Sequence, residues 1–173
     1  SASDGGVLYT TATVVAPANG ATMLLGQIFR VPPATTLGGR VITFASVAAP
    51  YVDVEADPFP TSGARPALTQ TDPLGNFSVP LDVGNYDIVV SPWVGSGFAT
   101  QIVTYDPEAY GPIEIALSPP IVLSGVVRAA DGVPLALARV NVYRIMRGIV
   151  DRTILVASVE TEADGAYRVL LTN

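Results

Sequence analysis

The sequence predicts an all-β protein made of two tandem β-sandwich modules, and three observations support this. An eleven-residue pattern, T-x-x-x-G-x-aromatic-x-V-x-L, occurs at 71–81 and again at 161–171. The 16 glycines and 15 prolines are spread along the chain, as in proteins with many short strands joined by tight turns. No window places apolar residues at helical spacing over three turns without Gly, Pro or β-branched runs, so we expect no helices.

The repeated pattern describes a turn that opens into a half-buried strand. In each copy a glycine supplies the turn, because glycine adopts positive φ without steric cost. The aromatic residue, the valine and the leucine that follow are spaced two apart, which puts them on one face of a strand. Each copy is therefore expected to form one supersecondary unit of a packed module.

The repeat extends beyond this pattern on its N-terminal side. An L-x-G-x-V stretch occurs twice at an offset of 86 residues, a V-x-V stretch at an offset of 88, and the eleven-residue pattern at an offset of 90. Proline pairs precede both copies, where they would stiffen a linker. The matching segments are 37–41 with 123–127, 52–54 with 140–142, and Pro32-Pro33 with Pro119-Pro120.

These matches divide the chain into three parts. Residues 37–118 form the first module, with closing strands expected in 84–90, 99–105 and 113–117. Residues 119–173 form a second module that ends before any closing strands.

Residues 1–36 resemble the closing part of a module. Gly6-Val7-Leu8-Tyr9 follows the Gly84-Asn85-Tyr86 pattern, Val14-Val15-Ala16-Pro17 matches Val89-Val90-Ser91-Pro92, and Gln27-Ile28 matches Gln101-Ile102. One hypothesis is that these N-terminal strands complete the second module, in the same chain or in a strand-exchanged dimer. The alternative is that the chain is a piece of a longer array whose incomplete sheets are frayed or dimerised.

The motifs together resemble those of the carboxypeptidase regulatory-like domains. The resemblance rests on the L-x-G-x-V start, on Asp131-Gly132-x-Pro134-Leu135-x-x-Ala138-x-Val140-x-Val142, and on the T-x-x-x-G-x-Tyr-x-V finish. Such domains are prealbumin-like, Greek-key β-sandwiches related in shape to transthyretin and to Cna B-type surface domains. The resemblance implies a non-catalytic spacer, stabiliser or binding module in an exported or surface-attached bacterial protein, located in the periplasm, on the outer membrane or outside the cell.

Composition excludes several other functions. The formal net charge is −6 and the nine basic residues are all Arg, so the chain offers no basic stripe for nucleic acid. No apolar run approaches the eighteen or so residues of a membrane-spanning helix. Ser1-Ala2-Ser3 begins the sequence without a signal-peptide pattern.

The residue types also argue against catalysis. The chain contains no His, Cys or Lys, so a Ser-His-Asp or Ser-Lys device cannot be assembled, and zinc lacks its preferred ligands. Asp53 and Glu55 share one strand face and offer a carboxylate pair for glycoside hydrolysis, although a solvated strand face has the same pattern. We expect no enzyme activity and no cofactor.

Calcium needs only oxygen ligands, and several acidic or amide side chains fall in turns. None has the D-x-D-x-D-G spacing of a calcium loop, and hairpin turns use Asp and Asn for backbone reasons. We therefore expect no metal site. The turn residues are Asp72, Asn76, Asp131, Glu162 and Asp164.

Aromatic loop residues are the candidates for binding a protein or glycan partner. The loop 91–98 holds Trp93, the only Trp, and Phe98 among small residues. Tyr105 and Tyr110 flank an acidic Asp-Pro-Glu stretch and are weaker candidates. Exposed aromatics on a rigid sandwich can stack on a sugar or anchor a partner, and the alternative is that they pack on the core or at a seam between modules.

Four arginines, Arg139, Arg144, Arg147 and Arg152, make a mildly basic hairpin in the second module. Such a hairpin either binds a partner or blunts an exposed sheet edge.

Overall fold

The computed structural model describes residues 35–106, 111–148 and 151–172. These residues form eleven β-strands and no helix, which confirms the predicted all-β sandwich class. No helix in the described part of the chain is long and apolar enough to cross a membrane. The strands are β1 Thr35–Thr43, β2 Asp53–Pro58, β3 Ala67–Gln70, β4 Asn76–Leu81, β5 Tyr86–Ser91, β6 Gln101–Tyr105, β7 Ile113–Leu117, β8 Ile121–Val126, β9 Arg139–Met146, β10 Arg152–Glu160 and β11 Ala166–Leu171.

Strands β1 to β7, here called the first unit, form a two-layer sandwich. One sheet has the order β4-β1-β7 and the other the order β3-β2-β5-β6. The β1–β2, β3–β4, β4–β5 and β6–β7 connections each pass from one sheet to the other. Alternating side chains from both sheets fill the space between them, as expected for aligned sheet packing. The fully buried core residues include Leu37, Val54, Val79, Val90 and Leu117.

The three closing strands of the first unit lie where the sequence predicted them. Tyr86–Ser91, Gln101–Tyr105 and Ile113–Leu117 fall within or beside the expected segments. The strand β7 pairs with β1 in parallel, and β5 pairs with β2 antiparallel. The first strand already begins at Thr35, so it includes the last two residues that the sequence assigned to the N-terminal part.

Strands β8 to β11, here called the second unit, form two separate two-stranded sheets. Among the described residues, β8 pairs only with β11 and β9 only with β10. The pairing of β9 with β10 contains a β-bulge between Leu155 and Ala157. A β-bulge bends a strand and increases its twist. The predicted role of residues 1–34 in completing this unit lies outside the described residues.

The two eleven-residue patterns adopt the same local structure. The Val41 N–H donates to the Gly75 carbonyl (2.8 Å), and the Val127 N–H donates to the Gly165 carbonyl (2.9 Å). Gly75 and Gly165 have φ values of 79° and 76°, where an L side chain is strained. A Cβ on Gly165 would also lie 2.5 Å from the Val127 carbonyl oxygen. Glycine is therefore required twice for the same two reasons.

A threonine hydroxyl joins two segments in each unit. Thr71 Oγ1 accepts the Val52 N–H (2.8 Å) and donates to the Ala49 carbonyl (2.8 Å). Thr161 Oγ1 accepts the Ala138 N–H (2.9 Å) and donates to the Leu135 carbonyl. Each hydroxyl satisfies backbone groups at the entry to a strand, so the threonine that opens the repeated pattern has a structural role.

These bonds correct one detail of the sequence alignment. They place Ala138 where Val52 stands, at an offset of 86 residues, whereas the sequence matched Val52 with Val140 at 88. The strand registers agree, since Asp53 pairs with Gln70 and Arg139 pairs with Glu160. The V-x-V match was wrong by two residues because alternating valines align equally well at either shift.

Candidate binding groove and the junction between the units

Trp93 lies on an exposed loop that is fixed by its own hydrogen bonds. The Ser96 N–H donates to the Trp93 carbonyl (3.0 Å), which closes a β-turn, and the Phe98 N–H donates to Ser96 Oγ (3.2 Å). A Cβ on Gly95, whose φ is 93°, would lie 3.2 Å from Trp93 Cζ3, so the indole packs over this glycine. The Trp93 side chain is still 59% exposed. The loop therefore presents an aromatic face to solvent.

A groove of about 570 Å³ lies beside this loop, between the two units. Trp93, Phe98 and Thr100 line it from the first unit. The bulged part of β10, residues 155–159, and Arg168 of β11 line it from the second. The groove thus combines an exposed indole with residues of a bulged strand and an arginine. Such a mixture of an aromatic platform and polar groups suits a sugar or a peptide.

The other aromatic candidates have different environments. Phe98 is half-buried against the core of the first unit, and its ring lies 6.1 Å from that of Phe44. Tyr105 is 4% exposed in the same core, and burial raises the pKa of its hydroxyl. It pairs with Tyr86 at the end of β6 away from the Trp93 loop. Tyr110 lies outside the described residues. The structure therefore brings together Trp93 and Phe98, but not Tyr105.

A buried ion pair joins the two units. Arg152, the first residue of β10, donates from Nε to Asp87 Oδ2 (2.5 Å) and from Nη2 to Asp87 Oδ1 (3.2 Å). Asp87 is 1% exposed and also accepts the Thr104 hydroxyl (2.9 Å). The guanidinium carbon lies 3.7 Å from the centroid of the Phe59 ring, a cation–π geometry. One arginine of the second unit thus binds both an acid and an aromatic ring of the first.

Apolar and polar contacts continue this junction along the outer face of the β5–β6 sheet. Val89 and Ile102 of the first unit form a buried cluster with Ile154 of β10. Farther along, the Thr172 hydroxyl donates to the Thr100 carbonyl (3.2 Å). The first part of β10, from Arg152 to Val156, therefore lies against the first unit, and Thr172, the residue after β11, adds a contact farther along.

A second carboxylate lies near this ion pair. Asp57 is the register partner of Asp87 in the β2–β5 ladder. Burial raises the pKa of Asp57, Asp87 raises it further, and Arg152 acts in the opposite direction. Arg152 therefore acts on two carboxylates, since it forms the ion pair with Asp87 and also favours the charged form of Asp57.

The carboxylates considered for chemistry have structural partners. Asp53 Oδ1 accepts a hydrogen bond from Gln70 Nε2 (2.9 Å) across the strand pair, and Asp53 and Glu55 lie on an exposed strand face. Asp72 accepts the backbone N–H groups of Leu74 and Asn76, and the Asn76 backbone contributes most to lowering its pKa. The described residues contain no group of three or more acidic side chains arranged to hold a metal ion.

Asp131 and Asp164 likewise bond within their own turns. Asp131 accepts the Val133 N–H (3.1 Å), and Asp164 accepts the Ala166 N–H (2.9 Å). Both side chains therefore stabilise turns, which is the usual role of Asp at these positions.

The four hairpin arginines have separate roles. Arg139 pairs with Glu160 across β9 and β10 (3.1 Å), and Arg147 pairs with Asp151 at the hairpin turn (2.8 Å), both at the surface. Arg144 donates to the Thr172 carbonyl (3.2 Å). Only Arg152 binds the first unit through an ion pair in the described structure. In the sequence Arg152 belongs to the same basic hairpin as the other three, and its partner was not predicted because Asp87 lies 65 residues away.

No protein-family model matches the chain, and no curated protein matches it. A streptococcal ancillary pilin structure is 15% identical, with a TM-score of 0.37, over 79% of this chain and 50% of that chain. A DUF3823 family protein from Parabacteroides merdae ATCC 43184 is 15% identical, with a TM-score of 0.38, over 82% of this chain and 81% of that chain. The chain spans half the length of the pilin structure.

Proposed function

We propose that the protein is a non-catalytic structural or protein-binding module of a bacterial surface or exported protein, built from two prealbumin-like units of the carboxypeptidase regulatory-like type. The observation that carries this proposal is the junction, where a buried ion pair and an apolar cluster hold β10 against the first unit. Units joined only by a linker move relative to each other unless their interface is extensive and apolar. A fixed junction suits a spacer that must hold a defined geometry.

Residue chemistry supports the non-catalytic part of this proposal. The chain lacks His, Cys and Lys, and the side chains of Asp72, Asp131 and Asp164 bond to backbone N–H groups of their own turns. No base is available to activate a serine or threonine by the usual routes. The geometry that the two repeated patterns share likewise serves turns and strand entries rather than a reaction.

Small-angle X-ray scattering on the full chain tests the structural proposal. One fixed arrangement of the two units should fit the wild-type curve. An Asp87→Ala, Arg152→Ala double variant should need several arrangements, with a larger radius of gyration. The Arg139→Ala variant removes a surface ion pair and should scatter like the wild type. A wild-type curve that already needs many arrangements would contradict the proposed rigid spacer.

A carbohydrate-binding function is the second candidate, favoured by the exposed Trp93 at the groove. Stacking of a sugar on an indole changes its fluorescence, and Trp93 is the only Trp, so the signal reports this site alone. Titration with a glycan panel should shift the emission if the groove binds sugar, and Trp93→Ala should abolish retention on a glycan array. Tyr51→Ala removes another exposed aromatic, absent from the groove, and should leave retention unchanged. An emission spectrum that no glycan alters would reject this candidate.

A further inference from the structure

The described part of the second unit exposes apolar residues whose counterparts in the first unit are buried. Leu123 is 39% exposed, whereas Leu37, at the same place in β1, is 0% exposed. Leu135 is 41% exposed, and the corresponding Ala49 is 6% exposed. In the first unit β5 covers the edge of β2, but the same edge of β9 has no partner among the described residues. An added strand there would pair the free edge and cover the apolar face.

Residues ahead of β1 have the length and pattern for this role. The first unit uses 86–117 for its three closing strands, and 34 residues precede β1. Val14-Val15-Ala16-Pro17 matches Val89-Val90-Ser91-Pro92 of the first unit. In β5, Val90 is fully buried in the sandwich core and Val89 faces outward. The N-terminal segment thus repeats the pattern of an inward and an outward valine.

The position of Thr35 favours a segment of the same chain. Thr35 pairs with Leu81 at one end of the first unit. At the same end, the Tyr86 hydroxyl donates to the backbone carbonyl of Asp82, the residue after Leu81. Asp87, beside Tyr86, binds Arg152 at the start of β10. The turn of the β9–β10 hairpin therefore lies at the end of the first unit where β1 begins. A segment antiparallel to β9 would begin beside this turn and end near Arg139, and the 17 residues 18–34 are more than enough to run back along the eight residues of β9 to Thr35.

We propose that residues 11–17 of the same chain pair antiparallel with the free edge of β9, as β5 pairs with β2. In the first unit Val54 is opposite Val90, and Glu55 is opposite Val89. Val140 and Asn141 occupy the places of Val54 and Glu55, because Arg139 corresponds to Asp53. Val15 is then opposite Val140 with its side chain toward the core, and Val14 is opposite Asn141 on the outer face.

Cysteine pairing tests both the register and the identity of the chain. The protein has no cysteine, so the full-chain double variant Val14→Cys, Asn141→Cys carries the only two thiols. Directly opposite strand residues have the Cα separation that a disulfide needs. Mild oxidation should give an intramolecular disulfide, found by peptide mass after proteolysis, in a protein that stays monomeric. The matched variant Val14→Cys, Tyr143→Cys is shifted two residues along the same face and should give several-fold less disulfide.

Two outcomes of this experiment overturn the proposal. Disulfide-linked dimers would assign the strand to a second copy of the chain, and equal disulfide yields in the two variants would show that no such register exists.

A pair of aspartate substitutions tests the same pairing without cysteine. Val15→Asp would bury a charge in the second core and should lower Tm by about 5 °C or more. Val14→Asp places the same charge on the outer face and should leave Tm nearly unchanged. Equal shifts for both variants would contradict the alternation on which the proposal depends.

Discussion

Replacement of Arg152 by Met should destabilise the protein strongly, because it leaves Asp87 as a buried carboxylate. Asp87 is 1% exposed, and the Arg152 side chain is 13% exposed. Removal of one partner of a buried ion pair typically costs about 3–5 kcal/mol. The Thr104 hydroxyl remains as a donor to Asp87, and the contact with the Phe59 ring is also lost. We therefore expect a loss of about 3 kcal/mol in the free energy of unfolding.

Urea unfolding followed by Trp93 fluorescence measures this loss, since Trp93 lies at the groove beside the junction. A double-mutant cycle with Asp87→Leu measures the interaction energy between Arg152 and Asp87 separately from the other contacts of each side chain. The double variant leaves neither charge unpaired, so its free energy of unfolding should be within about 2 kcal/mol of the wild type. The two single variants should therefore be less stable than their combination.

Arg139→Met is the matched control. Its ion pair with Glu160 is exposed, at 67% and 52% for the two side chains, so its loss should cost less than about 1 kcal/mol. The reasoning is refuted if Arg152→Met costs no more than Arg139→Met. It is also refuted if the two single effects simply add in the double variant.

Three further predictions concern backbone geometry and pH. Gly165→Ala should lower the free energy of unfolding, measured by urea titration, by about 2 kcal/mol, because the alanine would be strained at positive φ and its Cβ would overlap the Val127 carbonyl. The control is Gly63→Ala, where φ is 66° but the space is open, so the loss should be about half as large. Thr161→Val should cost about 1–3 kcal/mol in thermal or urea unfolding, since two backbone groups lose their partner; a neutral effect would contradict the bridging role. The pKa of Asp57 is raised in the folded state, so the folded protein holds this proton more tightly than the unfolded chain does. The resulting stabilisation is full below the ordinary Asp pKa and is lost as pH rises through the raised pKa. Asp57→Asn should then raise the free energy of unfolding at pH 7 by roughly 0.5 kcal/mol or less and give no gain near pH 3, and a gain that is independent of pH would contradict the assignment.

Local features of the fold could be predicted from the sequence because neighbouring residues encode them. The glycines of the repeated pattern require positive φ, and the alternation after Gly75 and Gly165 specifies which side of the strand is buried. Short segments rich in β-forming residues located β5, β6 and β7 in the first unit. It could not fix the alignment of Val52, because a shift of two residues preserves every inward and outward position.

The candidate site was only partly predictable. The composition of loop 91–98 identified Trp93 as a candidate, since an indole among small residues in a loop is unusual. Its exposure, and the groove it shares with β10, depend on how the second unit lies against the first. Tyr105, a weaker candidate beside an acidic stretch, is buried, because alternation along β6 turns its ring into the core.

The sequence by itself determined the fold class, the repeated turn-and-strand pattern and the absence of the usual catalytic bases, since these follow from residue type and spacing. Only the tertiary structure decided that Arg152 binds Asp87 and Phe59, and that a groove forms beside Trp93. Such contacts join residues far apart in the chain, and no local pattern distinguishes Arg152 from the three other arginines of its hairpin. The electrostatic partner of a side chain is fixed by packing, because burial determines which charges must be neutralised.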